Sequence, residues 1–108
     1  MGQVTITRER QDDVVAVKRG DVIVVELPDQ PSTGYRWDVA SPDSALVEIE
    51  GSAYKSAGPG VGGGGITAWR LRARALGRTR LDFKRHRPWE GDRSVIDRFA
   101  VTLDIADG

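Results

Sequence analysis

AWRLRARALGRTRLDFK, residues 68–84, alternates apolar and charged side chains along almost its whole length. Successive side chains of a β-strand point to opposite sides of the sheet, so a period of two is typical of strands with one buried face. The stretch therefore predicts two half-buried antiparallel strands joined by a short turn at residues 76–78. The predicted inward positions are Trp69, Leu71, Ala73 and Ala75, followed by Thr79, Leu81 and Phe83.

The same alternation extends over the rest of the chain, and no segment of ten or more residues has a convincing helical period. DVIVVEL, residues 21–27, is almost continuously apolar, which predicts a central strand covered on both faces. Trp37 lies mid-strand with Tyr35 and Val39 on its face, like the core tryptophan of an immunoglobulin-like sandwich. We predict a single domain, residues 1–108, with the all-β fold of an immunoglobulin-like, two-sheet antiparallel sandwich. The predicted strands are 2–8, 13–18, 21–27, 35–40, 45–50, 66–75, 78–85 and 95–106.

Charge and composition exclude several classes of function. Sixteen basic residues balance sixteen acidic ones, so no net charge steers the chain to nucleic acid or to an anionic membrane. Without cysteine, the chain has no disulfide, thiolate metal site or thiol nucleophile. No apolar run of about 18 residues predicts a membrane span. No signal peptide is visible, which fits either a cytoplasmic protein or a periplasmic or secreted one whose leader was removed.

The longest connections are predicted to lie together. If successive strands run in opposite directions, the connections after the third, fifth and seventh strands emerge at the same end of the sandwich. These are PDQPSTG (28–34), GSAYKSAGPGVGGGG (51–65) and HRPWEGDRS (86–94), whereas the connections at the other end are short turns. Compact domains favour short connections, so three long ones at one end indicate a binding surface.

GPGVGGGG, residues 58–65, has six glycines in eight positions. A phosphate-binding loop would need a following helix, and here a strand, starting at Ile66, follows instead. A linker is also excluded, because both flanks are predicted strands of one sandwich. Two interpretations remain: a mobile hairpin connection, or a loop without side chains that enters a narrow cleft and offers its backbone.

The other two connections also allow two interpretations each. Pro88 stiffens the chain before Trp89, which lies off the strand period and is either an interface anchor or a lid folded over the end of the sandwich. Ser32 and Thr33 offer short hydroxyls, either to a partner or to their own turn.

Three rival functions can be stated. In an enzyme, His86 would have to activate Ser32 or Ser94, but a lone histidine beside arginines at a strand end is more often solvent-facing. For nucleic acid, the arginines at 70, 72, 74, 78 and 80 would form one basic stripe if their strands were neighbours, but that face has no aromatic side chains for base stacking. A solvated face, partly neutralised by Asp82 and Asp104, is the simpler interpretation. A general adhesion or ligand-binding module would keep the loop surface alone.

Taken together, QPSTGY, GGGG and RPW resemble, in order and spacing, the NPTTGY/F, GxGG and RPW/F motifs of chagasin-like inhibitors of papain-type cysteine peptidases. The resemblance covers nearly the whole chain. Gln30 stands where the family usually has asparagine, and Ser32 where it has threonine. An alternative alignment takes residues 60–63 as the glycine motif, but residues 62–65 place Trp69 at the inward aromatic position of the next strand.

The resemblance implies an eight-stranded immunoglobulin-like fold and a non-enzymatic inhibitor. We expect a monomer without a cofactor or metal. The resemblance also implies that three loops, 28–34, 58–65 and 86–91, occlude the active-site cleft of a papain-like cysteine peptidase reversibly and without covalent chemistry. An adhesion module without inhibitory activity is the alternative. The residues implied to bind the peptidase are Pro31, Ser32, Thr33, Gly34, Tyr35, Gly62, Gly63, Gly64, Gly65, Arg87, Pro88 and Trp89.

Overall fold

Eight β-strands form most of the chain in the computed structural model, which describes residues 2–29, 34–40, 43–56 and 64–107. They are β1 (Gln3–Thr7), β2 (Val14–Lys18), β3 (Val22–Asp29), β4 (Arg36–Val39), β5 (Val47–Ser56), β6 (Gly65–Ala73), β7 (Gly77–His86) and β8 (Asp97–Ala106). Short 3₁₀ turns occur at Arg8–Arg10 and Gly91–Ser94. The all-β class is confirmed, and the predicted strand ends lie within two residues of the observed ones except in β5. That strand continues to Ser56, into the segment that was predicted as loop.

The strands form two four-stranded sheets, with the orders β1-β3-β6-β5 and β2-β8-β7-β4. Most pairs are antiparallel, but β1 is parallel to β3 and β2 is parallel to β8. Consecutive strands β1 and β2 belong to different sheets, and each joins the edge of its sheet beside a strand of the same direction. The prediction of purely antiparallel sheets was therefore wrong at these two edges. Parallel neighbours require a crossover connection, and here the chain crosses through the opposite sheet.

The core lies between the two sheets and follows the period-two pattern. Leu71 and Ala73 of β6 are buried, as are Thr79, Leu81 and Phe83 of β7. β3 alternates too: Ile23, Val25 and Leu27 are buried, whereas the residues between them are only half-buried. β3 is therefore central within its sheet, as predicted, but only one of its faces is covered.

The predicted basic stripe is divided between the two sheets. β6 carries Arg70 and Arg72 on the first sheet, and β7 carries Arg78 and Arg80 on the second, because the turn between these strands crosses from one sheet to the other. Glu50 pairs with both Arg70 and Arg72. Arg78 pairs with Asp104, and Arg80 with Asp82. In the described part of the chain, four of the five arginines are therefore paired with carboxylates and divided between two sheets, so they do not form the continuous basic stripe that nucleic-acid binding requires.

Trp37 joins the two sheets at the base of the 28–34 connection. Its side chain is buried, as predicted, and its indole Nε1 donates a hydrogen bond to the carbonyl oxygen of Pro28 at 2.7 Å. Pro28 belongs to β3 in the first sheet, whereas Trp37 belongs to β4 in the second. Trp69, also predicted to be in the core, is only half-buried and packs against the edge of the core.

Arg8 ties the β1–β2 crossing to the second sheet. Its guanidinium donates a hydrogen bond to the Asp97 carboxylate at the start of β8, and its Cζ atom lies 5.7 Å from the centroid of the Trp37 ring. The hydrogen bond from Arg8 holds the pKa of Asp97 below its usual value, against the opposing effect of burial. One arginine thus links three segments that are distant in the chain.

The indole hydrogen bond of Trp37 predicts that a tryptophan-to-phenylalanine substitution lowers stability more at residue 37 than at residue 69. Trp37→Phe removes the donor to the Pro28 carbonyl, whereas the Nε1 of Trp69 has no hydrogen-bond partner within the described residues. We expect Trp37→Phe to lower the free energy of unfolding by about 1 kcal/mol more than Trp69→Phe, since a net hydrogen bond contributes about that much. Urea unfolding of both variants measures this difference, and equal losses would show that the indole bond does not stabilise the fold.

The Arg8–Asp97 pair predicts a pH-dependent stability. Because the pKa of Asp97 is lowered on folding, the pair stabilises the fold above the ordinary aspartate pKa of about 3.9, and this stabilisation is lost as the pH falls from there through the folded-state pKa. We expect Asp97→Asn to be less stable than the wild type at neutral pH, with the difference shrinking in acid. Urea unfolding over a pH series measures this difference. Asp107→Asn, in the exposed pair with Arg19, is the control with little expected loss; a pH-independent deficit in Asp97→Asn would contradict the assignment.

Candidate functional site

The connections after β3, β5 and β7 leave the sandwich at the same end, which we call the loop pole. Strand pairing places their bases side by side: Gly65 pairs with both Asp29 and Ser56, and His86 pairs with Arg36. The first β7–β8 pair outside the connection is Arg85 with Asp97. The predicted clustering of the three connections is therefore confirmed for the residues that flank them.

Part of the predicted site lies outside the described residues. This applies to Pro31, Ser32 and Thr33 of the first motif and to Gly62 and Gly63 of the second, and also to Gln30 and the alternative glycine tip, 60–63. Described at the loop pole are Gly34, Tyr35, Gly64, Gly65, Arg87, Pro88 and Trp89.

Trp89 rests on Gly34 and so joins the first and third connections. A Cβ atom at Gly34 would lie 3.0 Å from the Trp89 ring, and Gly34 has a φ of +81°, which residues with a side chain rarely adopt. Trp89 is nevertheless 70% exposed, the largest exposure among the exposed large hydrophobic residues described. An exposure this high does not fit the interpretation of Trp89 as a lid folded over the end of the sandwich.

Tyr35 and Arg87 form a second contact between these connections. The Arg87 Cζ atom lies 4.6 Å from the centroid of the Tyr35 ring, within the range of a cation–π interaction. The guanidinium also lies 3.7 Å from the Glu90 carboxylate. Tyr35 is only half-buried and precedes β4, so it does not share the core face with Trp37 as predicted. It supports Arg87 instead.

Ser94 fastens the chain on both sides of Trp89. Its hydroxyl oxygen accepts a hydrogen bond from the Arg87 amide at 2.8 Å and lies 2.9 Å from the Gly91 carbonyl oxygen. The Glu90 amide donates to the Arg87 carbonyl oxygen and closes a turn around Pro88 and Trp89. The exposed indole is thus carried on a hydrogen-bonded turn. Sequence reasoning considered Ser94 only as a nucleophile and missed this role.

Gly65 marks the narrow base of the glycine-rich connection. A Cβ atom there would lie 2.6 Å from the Tyr54 hydroxyl oxygen and would collide with the Lys55 carbonyl oxygen, so only glycine fits without displacing β5. Tyr54 was predicted to be in a loop but belongs to β5. The absence of a side chain at Gly65 is therefore required by packing within the chain itself. Gly64, next to it, is half-buried.

Exposed apolar side chains are concentrated at the loop pole. Of the six large hydrophobic residues that are exposed in the described part of the chain, Tyr54, Ile66, Trp89 and Ile96 lie at this end. Val14 lies on an edge strand, and Leu76 lies in a turn at the opposite end. Ile66 and Ile96 were not predicted as site residues, although each lies close to a predicted motif. Exposed apolar clusters of this kind mark protein interaction sites.

The residues that the structure describes do not form a hydrolytic site. His86 is buried, not solvent-facing as expected, because β7 continues to it and pairs there with β4. Neither of its ring nitrogens makes a hydrogen bond within the described residues, and Nε2 lies 3.7 Å from the Asp38 carboxylate. The Ser94 hydroxyl is bonded to its own turn. In the described ranges, no group of three or more histidine, aspartate or glutamate side chains could hold a metal, and no helix there is long and apolar enough to span a membrane.

Comparisons with known proteins agree with this geometry. The chain is 24% identical over 103 residues to chagasin of Trypanosoma cruzi, an alignment that covers 91% of this chain and 94% of chagasin. The cysteine protease inhibitor EhICP2 of Entamoeba histolytica has a similar crystal structure, with a TM-score of 0.86, 21% identity and coverage of 97% and 96% of the two chains. PbICP-C, solved in complex with falcipain-2, superposes with a TM-score of 0.67 at 14% identity, over 96% of this chain and 89% of that one.

A family model settles the relationship. The model described as "Chagasin family peptidase inhibitor I42" matches residues 16–103, which include strands β3 to β7, most of β2 and β8, and all three connections of the loop pole. This family consists of peptidase inhibitors and not of enzymes. The chain belongs to the chagasin family of peptidase inhibitors.

Proposed function

We propose that this chain inhibits papain-like cysteine peptidases reversibly by filling the active-site cleft with three loops. They are the PST loop (28–34), the glycine loop (58–65) and the Trp89 loop (86–91). The observation that carries the proposal is the pairing of Trp89 with Gly34: a large, exposed aromatic ring is held against the end of the PST loop at the loop pole. Exposed tryptophan on a rigid support is typical of an interface anchor.

The glycine loop is assigned the role of a wedge. A papain-like enzyme keeps its catalytic cysteine and histidine at the floor of a V-shaped cleft, as the family resemblance implies. Any Cβ atom on the wedge would hold its backbone away from that floor, so glycines such as Gly62, Gly63 and Gly64 suit the position. At the base of the loop, Gly65 packs closely against Tyr54, so the two chain segments there are also close together.

The other two loops are assigned to the walls of the cleft. In this proposal Pro31, Ser32 and Thr33 lie near the catalytic pair, and Trp89 stacks on an aromatic side chain of the opposite wall. Arg87 and Pro88 hold the indole in place, through the Arg87–Tyr35 stack and the Ser94 hydrogen bonds. We expect about 800 Å² to be buried per partner, the usual size for protease–inhibitor complexes.

Inhibition in this account is occlusion without covalent chemistry. The chain has no cysteine, the Ser94 hydroxyl is engaged in its own turn, and His86 makes no hydrogen bond to a hydroxyl within the described residues. The complex of the relative PbICP-C with falcipain-2 supports a peptidase as the partner. An adhesion module is not favoured, because the family match extends across both sheets.

Titration against papain and a cathepsin-L-like enzyme tests the function. We expect competitive inhibition of the hydrolysis of a small fluorogenic peptide, with one inhibitor molecule per active site and an intact inhibitor chain recovered afterwards. Undiminished hydrolysis by both enzymes at micromolar inhibitor, or steady cleavage of the inhibitor, would overturn the proposal.

Trp89→Ala tests the anchor. Removing the exposed indole should weaken inhibition of papain by about 2 kcal/mol or more, because aromatic anchors of this kind carry much of the binding energy. The melting temperature should change little, since the side chain is 70% exposed. Leu76→Ala is the matched control, because Leu76 is an exposed apolar side chain at the opposite end, and it should leave the inhibition constant unchanged. Equal inhibition by the Trp89 and Leu76 variants would refute the anchor.

Gly64→Phe tests the wedge. A bulky side chain within the glycine loop should prevent full entry into the cleft, and we expect the inhibition constant for papain to rise at least tenfold, about 1.4 kcal/mol. Ala45→Phe places the same bulk in an exposed turn at the far end of the sandwich and should inhibit like the wild type. Circular dichroism checks that both variants are folded. A folded Gly64→Phe variant with wild-type inhibition would refute the wedge.

A further inference from the structure

Three polar side chains lie between the sheets directly beneath the loops. We call Asp29, Thr67 and Arg85 the loop-base layer. Asp29 and Thr67 are buried, with exposures of 7% and 8%, and only 17% of the Arg85 side chain is exposed. The layer lies just below the loop pole, where the apolar core of the sandwich ends.

Each member of the layer belongs to the base of a different loop. Asp29 is the last residue of β3 and lies within the PST loop as defined by sequence. Thr67 follows Gly65 by two residues in β6, and Arg85 precedes the Trp89 loop by one residue in β7. The layer therefore collects one side chain from the root of each loop.

One carboxylate connects the three roots. The Thr67 hydroxyl donates a hydrogen bond to Asp29 Oδ2 at 2.5 Å, which ties neighbouring strands of the first sheet. Arg85 Nε of the second sheet lies 3.7 Å from the other oxygen, Oδ1. One carboxylate oxygen of Asp29 thus contacts the base of the glycine loop, and the other faces the base of the Trp89 loop. The positive charge of Arg85 also acts on Asp97, on the far side of the Trp89 loop.

Stability alone does not account for such a layer. Burying an ion pair costs desolvation energy that its attraction often fails to recover, and apolar residues of similar volume are frequently as stable or more so. Directional hydrogen bonds and charge pairs, however, fix the relative positions of the segments that carry them more narrowly than apolar packing does. Fixed positions matter for inhibition, because loops that are ordered beforehand lose less entropy on binding.

We infer that Asp29, Thr67 and Arg85 are positioning residues, which hold the three loops at fixed mutual distances without touching the peptidase. The inference rests on the proposed function, since it assigns the layer a role in inhibitory affinity. Removing one interaction within the layer should loosen the loops relative to one another, although no residue that contacts the peptidase has been substituted.

Thr67→Val is the sharpest test, because it removes the hydroxyl and keeps the shape. We expect inhibition of papain to weaken about tenfold, because loops that are less ordered in the free inhibitor lose more entropy on binding. Thr67→Ser keeps the hydroxyl and should restore most of the affinity. Thr79→Val is the matched control: Thr79 has the same exposure, 8%, but lies on β7 toward the opposite end, and its substitution should leave the inhibition constant unchanged.

A readout without any peptidase separates this inference from the proposed function. In ¹H–¹⁵N spectra, Thr67→Val should shift the Trp89 indole signal and the Arg87 amide signal, across the sheet interface, whereas Thr79→Val should not. If the wild type fails to inhibit papain, the proposed function fails and the spectra still test the connection between the loop roots. If the wild type inhibits but Thr67→Val inhibits equally well, or leaves the Trp89 loop signals unmoved, the positioning role is refuted.

Asp29→Asn provides a second variant, should Thr67→Val unfold. It retains an oxygen acceptor for Thr67 but removes the charge that faces Arg85, and it should also weaken inhibition. Because both substitutions disconnect the same carboxylate, the double variant should be less impaired than the sum of the single effects. Strict additivity of the two effects on inhibition would show that the layer does not act as one unit.

Discussion

Alternate side chains of the strands are buried between the two sheets, and this packing determines where the loops emerge. The inward residues of neighbouring strands must stay in register, and the chain changes sheet at every connection except β5–β6 and β7–β8. With strand direction reversing at each connection, every second connection returns to the same end. The three long loops lie at that end because they follow the third, fifth and seventh strands, and four exposed apolar side chains lie there with them. The binding surface is thus a consequence of the way the core is closed.

At the loop pole, an exposed side chain that can contact a partner is held in place by packing and hydrogen bonds from neighbouring residues. Trp89 is exposed, yet its ring lies against Gly34, and the turn that carries it is fastened by Ser94. Beneath the loops, Trp37 bonds to the Pro28 carbonyl and Asp29 lies between Thr67 and Arg85. The layer beneath the loops is therefore polar and directional, whereas Trp89 and three other large exposed side chains in the described part of the loop pole are apolar. An inhibitor that works by occlusion needs both properties, because it gains nothing from chemistry and must limit the entropy lost on binding.

Much of the fold and the position of the loops could be predicted from the sequence, because a period of two shows which face of a strand is buried. It predicted the inward face of β7, the burial of Trp37 and the end at which the loops gather. It could not predict the partners of the edge strands, since β1 and β2 show the same pattern whichever sheet they join. It also misjudged His86 and Tyr54, which looked like loop residues because charge and glycine surround them, whereas backbone pairing carries both into strands. Hydrogen bonds between distant segments, such as that of Thr67 with Asp29, have no local signal at all.

If the loop pole occupies the catalytic cleft of the peptidase, an enzyme whose cleft is already filled should not bind this chain. Calorimetric titration would compare free papain with papain whose cleft is filled by a covalently attached peptidyl inhibitor. We expect one-to-one binding to the free enzyme and no measurable binding to the filled one, because the glycine loop and the blocking group need the same space. Equal affinity for both forms would contradict this expectation, and would place the contact surface elsewhere on the peptidase or on this chain.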